Sequence, residues 1–147
     1  MKKSLVIATL FLAAMGAQAA DLDLSVGKSN TERTVSRLGV SNTVYGLETN
    51  ASFTRTETQD KQNVNLTAVT VGKQLFAVGP VKVSAFAGPG FAQTKTQTGF
   101  GGVYGVALKY PLATNVDAVL DARRFQGKTR IDSATGNTVT GGLAVKF

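Results

Sequence analysis

Residues 138–147 read TVTGGLAVKF, with apolar side chains at Val139, Leu143, Val145 and Phe147 separated by smaller or polar residues. Successive side chains of a β-strand point to opposite faces, so a period of two predicts a strand with one apolar and one polar face. The segment also ends on an aromatic residue. It therefore predicts a β-strand that closes on an aromatic side chain.

The same alternation recurs upstream, for example at 22–27, 47–54 and 104–110. No stretch shows a sustained period of 3.6 residues, which an amphipathic helix would need. Eight segments of about ten residues can be counted in this way. The predicted strands lie at residues 22–29, 34–44, 47–57, 64–75, 81–94, 103–110, 116–129 and 138–147.

The predicted connections are of two kinds. Those after strands 2, 4 and 6 are compact or carry Pro and Gly (45–46, 77–80 and 111–115), whereas those after the odd-numbered strands are longer and polar. An even number of antiparallel strands with short turns at one end and longer loops at the other is typical of bacterial outer-membrane barrels. We therefore predict an all-β, eight-stranded antiparallel up-and-down transmembrane β-barrel, the smallest of its kind.

The first twenty residues have the three parts of a secretory signal peptide. Lys2 and Lys3 precede an apolar run over 5–15, and Ala17-Gln18-Ala19 forms an A-x-A cleavage site. The apolar run is too short for a transmembrane helix. We therefore predict a signal peptide over 1–19 and a barrel domain over 20–147.

The composition excludes most enzyme chemistry. The 147 residues include no Cys, His or Trp, which removes disulfides, thiolate or imidazole metal sites and His-dependent nucleophiles. Asp117 and Asp121 form a possible acid/base pair, but no nucleophile or substrate pocket accompanies them. We expect no catalytic residue, no metal and no cofactor. The net charge is +7, but the sequence has neither the run of basic residues nor the motif of a nucleic-acid-binding protein.

Alternation alone also fits a soluble secreted barrel whose apolar face points inward. Two features favour the membrane. The polar face is built mostly from small residues, as a narrow barrel interior requires. In addition, aromatic residues gather at the turn end, where they predict a periplasmic aromatic girdle. Its members are Tyr45, Phe76, Tyr110 and Phe147.

The ending Gly141–Phe147 resembles the C-terminal assembly signal of outer-membrane barrels, with Leu143, Val145 and Phe147 as its members. With the signal peptide and the eight alternating segments, the whole of 20–147 resembles the OmpA, OmpX and opacity-protein class of small barrels. The resemblance implies insertion into the outer membrane of a Gram-negative bacterium by the barrel-assembly machinery.

On this alternation, four acidic and five basic side chains face the barrel interior. Buried charges need partners, so we expect a cross-strand ion-pair network, with Asp23 beside Lys146 where the first and last strands meet. It is either an ion or proton path or, as we expect in so narrow a barrel, a structural plug. The predicted members are Asp23, Arg37, Glu48, Lys82, Lys109, Asp117, Asp121, Arg123 and Lys146.

Two further expectations concern the loop end. Pro89, flanked by glycines, predicts a bulge or bend in strand 5, because Pro removes a donor from the sheet. The remaining cations concentrate near the loops, where they either contact lipopolysaccharide phosphates or only keep the rim solvated. The candidate contacts are Arg33, Arg55, Lys61, Lys95, Arg124, Lys128 and Arg130.

These features predict a monomeric, non-enzymatic outer-membrane barrel with a structural or surface-interaction role. A narrow pore for ions or small solutes and a soluble periplasmic binding barrel remain the alternatives. An outer-membrane enzyme ranks last, because the eight-stranded lipid A enzymes use His and this chain has none.

Overall fold

A computed structural model describes residues 20–29, 33–57, 63–127 and 136–147. Eight antiparallel strands follow one another around a closed barrel, each paired with the next, and the last strand pairs with the first. The predicted fold class is confirmed, whereas the predicted signal peptide lies outside the described residues. The strands are β1 (Ala20–Ser29), β2 (Thr34–Val44), β3 (Leu47–Glu57), β4 (Asn63–Val78), β5 (Val81–Gln93), β6 (Thr98–Ala113), β7 (Val116–Gly127) and β8 (Gly136–Lys146).

The barrel has a turn end and a loop end. At the turn end, two-residue turns join the strands at 45–46, 79–80 and 114–115. Tyr45 and Gly46 both have positive φ, at 52° and 77°, which is the conformation of a type I′ hairpin turn. The four-residue connection 94–97 joins β5 to β6 at the loop end.

β6 is longer than the sequence predicted. It spans Thr98–Ala113, whereas alternation indicated only 103–110. The glycines near the start of β6 have no side chains, so the alternation is not visible there in the sequence. One of these glycines is nevertheless required, because the neighbouring strand β7 approaches it closely. A Cβ on Gly101 would lie 2.4 Å from the Gln126 carbonyl oxygen of β7. The predicted loop at 95–102 therefore ends at Gln97.

Of the bulge or bend predicted at Pro89, the bulge is contradicted by the pairing of β5. Pro89 pairs with Gly102 of β6, and the register of β5 is the same on both sides of it. The register shifts lie instead at 74–76 in β4 and at 111–113 in β6, both near the turn end. Pro89 has no N–H to donate, and the pairing with β4 is interrupted locally at this position, while the ring is exposed on the outer face.

The two faces of the sheet are inverted relative to those of a soluble barrel. The interior is lined by buried polar and charged groups, Asp23, Arg37 and Thr140 among them. The outer face carries apolar side chains, of which Leu24, Val71, Val106, Leu120 and Leu143 are 46–57% exposed. None of the residues that the structure describes forms a helix able to cross a membrane.

Candidate functional site

Four charged side chains meet in the middle of the barrel interior and form a chain of alternating sign, which we call the central network. Arg37 binds Asp23 on one side, and its Nη1 lies 2.8 Å from Oδ2 of Asp121 on the other. Arg123 donates from Nε and Nη2 to the two carboxylate oxygens of Asp121, at 2.7 and 2.8 Å. Asp121 is thus shared by two guanidinium groups.

The strands position this network from three sides of the barrel. Asp23 lies on β1, Arg37 on β2, and the other two residues on β7, whose inward positions alternate. Two further strands support Arg123. Its Nη1 donates to Ser52 Oγ of β3 at 3.2 Å, and its guanidinium lies 5.2 Å from the ring centroid of Phe86 on β5. The network therefore ties opposite walls together.

The four charges of the central network are buried, and buried charges are costly unless they are paired. All four side chains are at most 7% exposed, so each charge has lost most of its hydration. Two carboxylates against two guanidiniums leave no net charge, which is the condition under which buried ions are tolerated. Gly39 provides space, because a Cβ there would lie 3.3–3.7 Å from Asn50, Arg37 and Asp23.

A second and more solvent-exposed group of ion pairs lies near the turn end. Lys109 Nζ is 2.8 Å from Glu48 Oε1 and 3.8 Å from Asp21 Oδ2. Lys146 Nζ donates to Asp117 at 2.8 Å. Their side chains are 9–38% exposed, so solvent screens these pairs more than the central network.

Two details of the predicted network were wrong. Lys146 pairs in register with Asp21 and binds Asp117, whereas Asp23 lies opposite Ala144 and binds Arg37. The register between β1 and β8 is shifted by two residues from the expected one, because β1 begins before Leu22. Asp21 was missed for the same reason, although it shares the inward parity of Asp23.

Lys82 was also assigned to the wrong environment. It lies on the inward side of β5 directly opposite Lys109, yet its side chain is exposed at the turn end. No ion pair to Lys82 occurs within the described ranges. The structure therefore brings eight of the nine predicted residues into two ion-pair groups and leaves Lys82 at the mouth.

The loop half of the interior is apolar, which alternation did not reveal. Val64, Ala68, Ala92, Val103 and Phe125 form a buried cluster there, and each is at most 3% exposed. Partly buried Leu66 and Phe86 pack against it. We call this the apolar plug. These positions share the inward face with the charged residues, and the prediction of an inward face built mostly from small polar residues did not include them.

Between the two charged groups lies a small cavity. Its volume is about 30 Å³, and Asp23, Glu48, Lys109, Arg123 and Phe86 are among the residues that line it. A space of this size accommodates about one or two water molecules, far less than an organic ligand needs. The cavity lies below the apolar plug, in the half that faces the turn end.

The predicted rim residues are distributed unevenly. Tyr45, Phe76, Tyr110 and Phe147 are all exposed at the turn end. At the loop end, Arg55 and Arg124 are exposed on the outer face, Lys95 is exposed in the connection 94–97, and Arg33 is half-buried. Three other predicted lipopolysaccharide contacts lie outside the described residues, namely Lys61, Lys128 and Arg130.

Comparison with known proteins gives the fold alone. No protein-family model matches the chain, and no curated protein is similar to it. Solved structures do match. The N-terminal β-barrel domain of Pseudomonas aeruginosa OprF has a TM-score of 0.69 and 15% identity, over 88% of this chain and 97% of that one.

The chain has the fold of a small eight-stranded outer-membrane β-barrel. Neisserial surface protein A is similar over 88% of this chain and 95% of its own, with a TM-score of 0.58 and 18% identity. The outer-membrane enzyme PagL is similar over 86% of this chain and 98% of its own, with a TM-score of 0.54 and 20% identity. The same fold thus occurs in a surface protein and in an enzyme.

Proposed function

We propose that this protein is an integral barrel of the Gram-negative outer membrane, exported by the segment 1–19 and without catalytic activity. Its role is structural or surface-interactive. The observation that carries the proposal is the apolar outer face of a closed barrel whose interior holds buried ion pairs in its middle and its turn half. Twenty-two large apolar or aromatic side chains of the described residues are exposed, all on a closed barrel. Water would not stabilise such a surface, whereas lipid would.

The same observation counts against a soluble periplasmic barrel. A soluble barrel buries its apolar side chains and binds ligands in an apolar interior. Here Leu24, Val106 and Leu143 are near half exposed, and buried ion pairs cross the middle of the interior. Neither feature suits a soluble carrier.

We further propose that the barrel is closed to ions. The apolar plug occupies the loop half of the interior, and the central network crosses the middle. An ion that passed through would have to shed its hydration among Val64, Val103 and Phe125, which offer no polar replacement. This arrangement supports a closed barrel rather than a narrow pore.

The similarity to PagL raises the enzyme alternative, which we do not favour. The chain has no His or Cys to serve as a general base or nucleophile. Its two most buried carboxylates, Asp23 and Asp121, are both bound to guanidinium groups. Both carboxylates are therefore engaged in ion pairs within the barrel interior.

Assembly is the part of the proposal that concerns Leu143, Val145 and Phe147. Phe147 continues the β8–β1 pairing, since its N–H and C=O bond to Ala20 at 3.2 Å each. Its ring is 69% exposed at the turn end, where the assembly machinery would meet it. We expect Phe147→Ala to lower the yield of inserted barrel more than Tyr45→Ala, a change to another exposed turn-end aromatic. Equal yields in the outer-membrane fraction would remove Phe147 from the signal.

The location is tested by expressing the whole chain in a Gram-negative host and fractionating the membranes. A folded barrel in the outer-membrane fraction should migrate differently on a gel before and after heating. Recovery in the soluble periplasmic fraction, without any shift on heating, would overturn the proposal and favour the soluble barrel.

A further inference from the structure

The outer face of the barrel has a notch near the loop end of β6. Gly102 lies on the outward face between Phe100 and Tyr104, with Pro89 opposite it on β5 and Gln126 opposite it on β7. All of these residues are exposed. Among the described residues, the only atom within 4 Å of a Cβ built on Gly102 is the Gln126 carbonyl oxygen, at 4.0 Å. Gly102 therefore leaves open space over the sheet.

Aromatic side chains line this notch. Phe100 is 67% exposed and pairs across the sheet with Phe91, and Tyr104 lies two residues further along β6. Aromatic rings at this level of a barrel mark the boundary between hydrocarbon and headgroups. The Tyr104 hydroxyl lies 3.4 Å from Gln126 Oε1, which places polar atoms along one side of the notch.

A cation stands directly beside the notch. Arg124 lies opposite Tyr104 in the register between β6 and β7 and is exposed on the same outward face. It makes no ion pair with any residue of the described ranges. An exposed guanidinium at the edge of an apolar surface suits a phosphate, which it can bind through two parallel hydrogen bonds.

We propose that this notch is a binding site for one molecule of a phosphorylated, multiply acylated glycolipid of the lipid A type. Arg124 binds a phosphate, and one acyl chain lies in the space over Gly102 between Phe100 and Tyr104. The proposal rests on the outer-membrane location proposed above. It narrows the broad set of loop-end cations to one composite site.

Arg55 shows why charge alone does not make such a site. It too is exposed on the outer face near the loop end, and it makes no ion pair in the part of the chain that the structure describes. Its cross-strand neighbours are the polar Ser36 and Asn65, however, with no glycine among them to open a notch. Arg124 and Arg55 therefore form a matched pair with and without the notch.

The test is native mass spectrometry of the full-length barrel, purified in detergent and titrated with lipid A. We expect Arg124→Gln to lower the population carrying one lipid A about tenfold, as loss of a charge-assisted hydrogen bond implies. Gly102→Leu, which fills the notch, should have a similar effect. The controls Arg55→Gln and Gly141→Leu should bind as the wild type does, because Gly141 is an outward glycine away from the notch whose nearest atoms lie at 3.9 Å.

A parallel titration with phosphatidylglycerol separates lipid A from other anionic lipids. Weaker binding of phosphatidylglycerol supports the proposal, and equal binding at the same site overturns its assignment to lipid A. Equal losses in Arg124→Gln and Arg55→Gln would remove the site but leave the outer-membrane location standing. The heat-dependent gel shift of each variant verifies that the compared proteins are folded.

Discussion

Asp121 is the carboxylate that two buried guanidinium groups share, with Arg37 at 2.8 Å and Arg123 at 2.7 and 2.8 Å. Replacing it with Asn would leave two cations with one carboxylate in a site closed to bulk water. We expect Asp121→Asn to lower the free energy of unfolding by about 3–5 kcal/mol. Urea unfolding of the barrel in lipid vesicles measures this effect.

The matched control is Glu48→Gln. Glu48 also binds a cation, but its side chain is 27% exposed, so solvent can replace Lys109 as a partner. We expect a loss of about 1 kcal/mol or less. If the two variants unfold at the same urea concentration, the central network contributes no more than the screened pairs at the turn end.

A substitution at Val106 tests whether the outer face contacts lipid. It lies near the middle of β6 and is 46% exposed, so Val106→Arg should cost about 2–4 kcal/mol in a bilayer. Leu47→Arg, at the turn end of β3, should cost about 0–1 kcal/mol, because Arg there reaches the headgroups. The neighbouring Gly105 is a poor control, since even a Cβ would lie 2.2 Å from the Ala122 carbonyl oxygen. Equal unfolding free energies for Val106→Arg and Leu47→Arg would contradict the assigned depth.

At the level of strands, the closure of β8 on β1 depends on two adjacent glycines that behave differently. A Cβ on Gly142 would lie 2.0 Å from the Leu24 carbonyl oxygen, whereas a Cβ on Gly141 meets nothing nearer than 3.9 Å. We expect Gly142→Ala to reduce the yield of heat-shifting barrel severely and Gly141→Ala to leave it near that of the wild type. Refolding both variants into detergent and scoring the folded band provides the measurement. A normal yield for Gly142→Ala would mean that the seam can separate there.

Strand extent was predictable wherever side chains alternate. β2 and β3 match their predicted bounds, and in β3 the alternation of Leu47, Ala51 and Phe53 with polar residues is clear. β6 was underestimated at its glycine-rich start, and Pro89 was assigned a bulge that the register does not show. In both cases the strand is held by its pairing with neighbouring strands, and the sequence of the strand itself does not show that pairing.

At the scale of the whole molecule, the two ends of the interior have opposite character. The turn half is charged and partly wet, and the loop half is filled by the apolar plug. Purified barrel in planar bilayers should therefore show no stable, ion-selective conductance. A steady open channel in the wild type would overturn the closed interior and favour the pore.

Charge removal at the mouth offers a further test of that closure. Lys109→Gln should destabilise the barrel measurably before any conductance develops, because Lys109 holds both Glu48 and Asp21. Lys82→Gln should have little effect, since Lys82 is exposed and makes no ion pair with any described residue. Unfolding midpoints and bilayer currents, measured on the same preparations, distinguish the two. A current that rises in Lys109→Gln without loss of stability would contradict the plug.

The sequence by itself determined the number of strands, their order, the apolar face and most of the charges that share the interior, because each of these follows from a period of two along one strand. The tertiary structure decided which charges meet. A closed barrel brings Arg37 of β2 against Asp121 of β7. The register of β1 with β8 places Lys146 opposite Asp21 and away from Asp23, and Lys146 binds Asp117 of β7. It also decided that the loop half of the interior is apolar and that Arg124 lies beside an open notch. These contacts join strands distant in the chain, so their geometry depends on register and closure, which no single strand encodes.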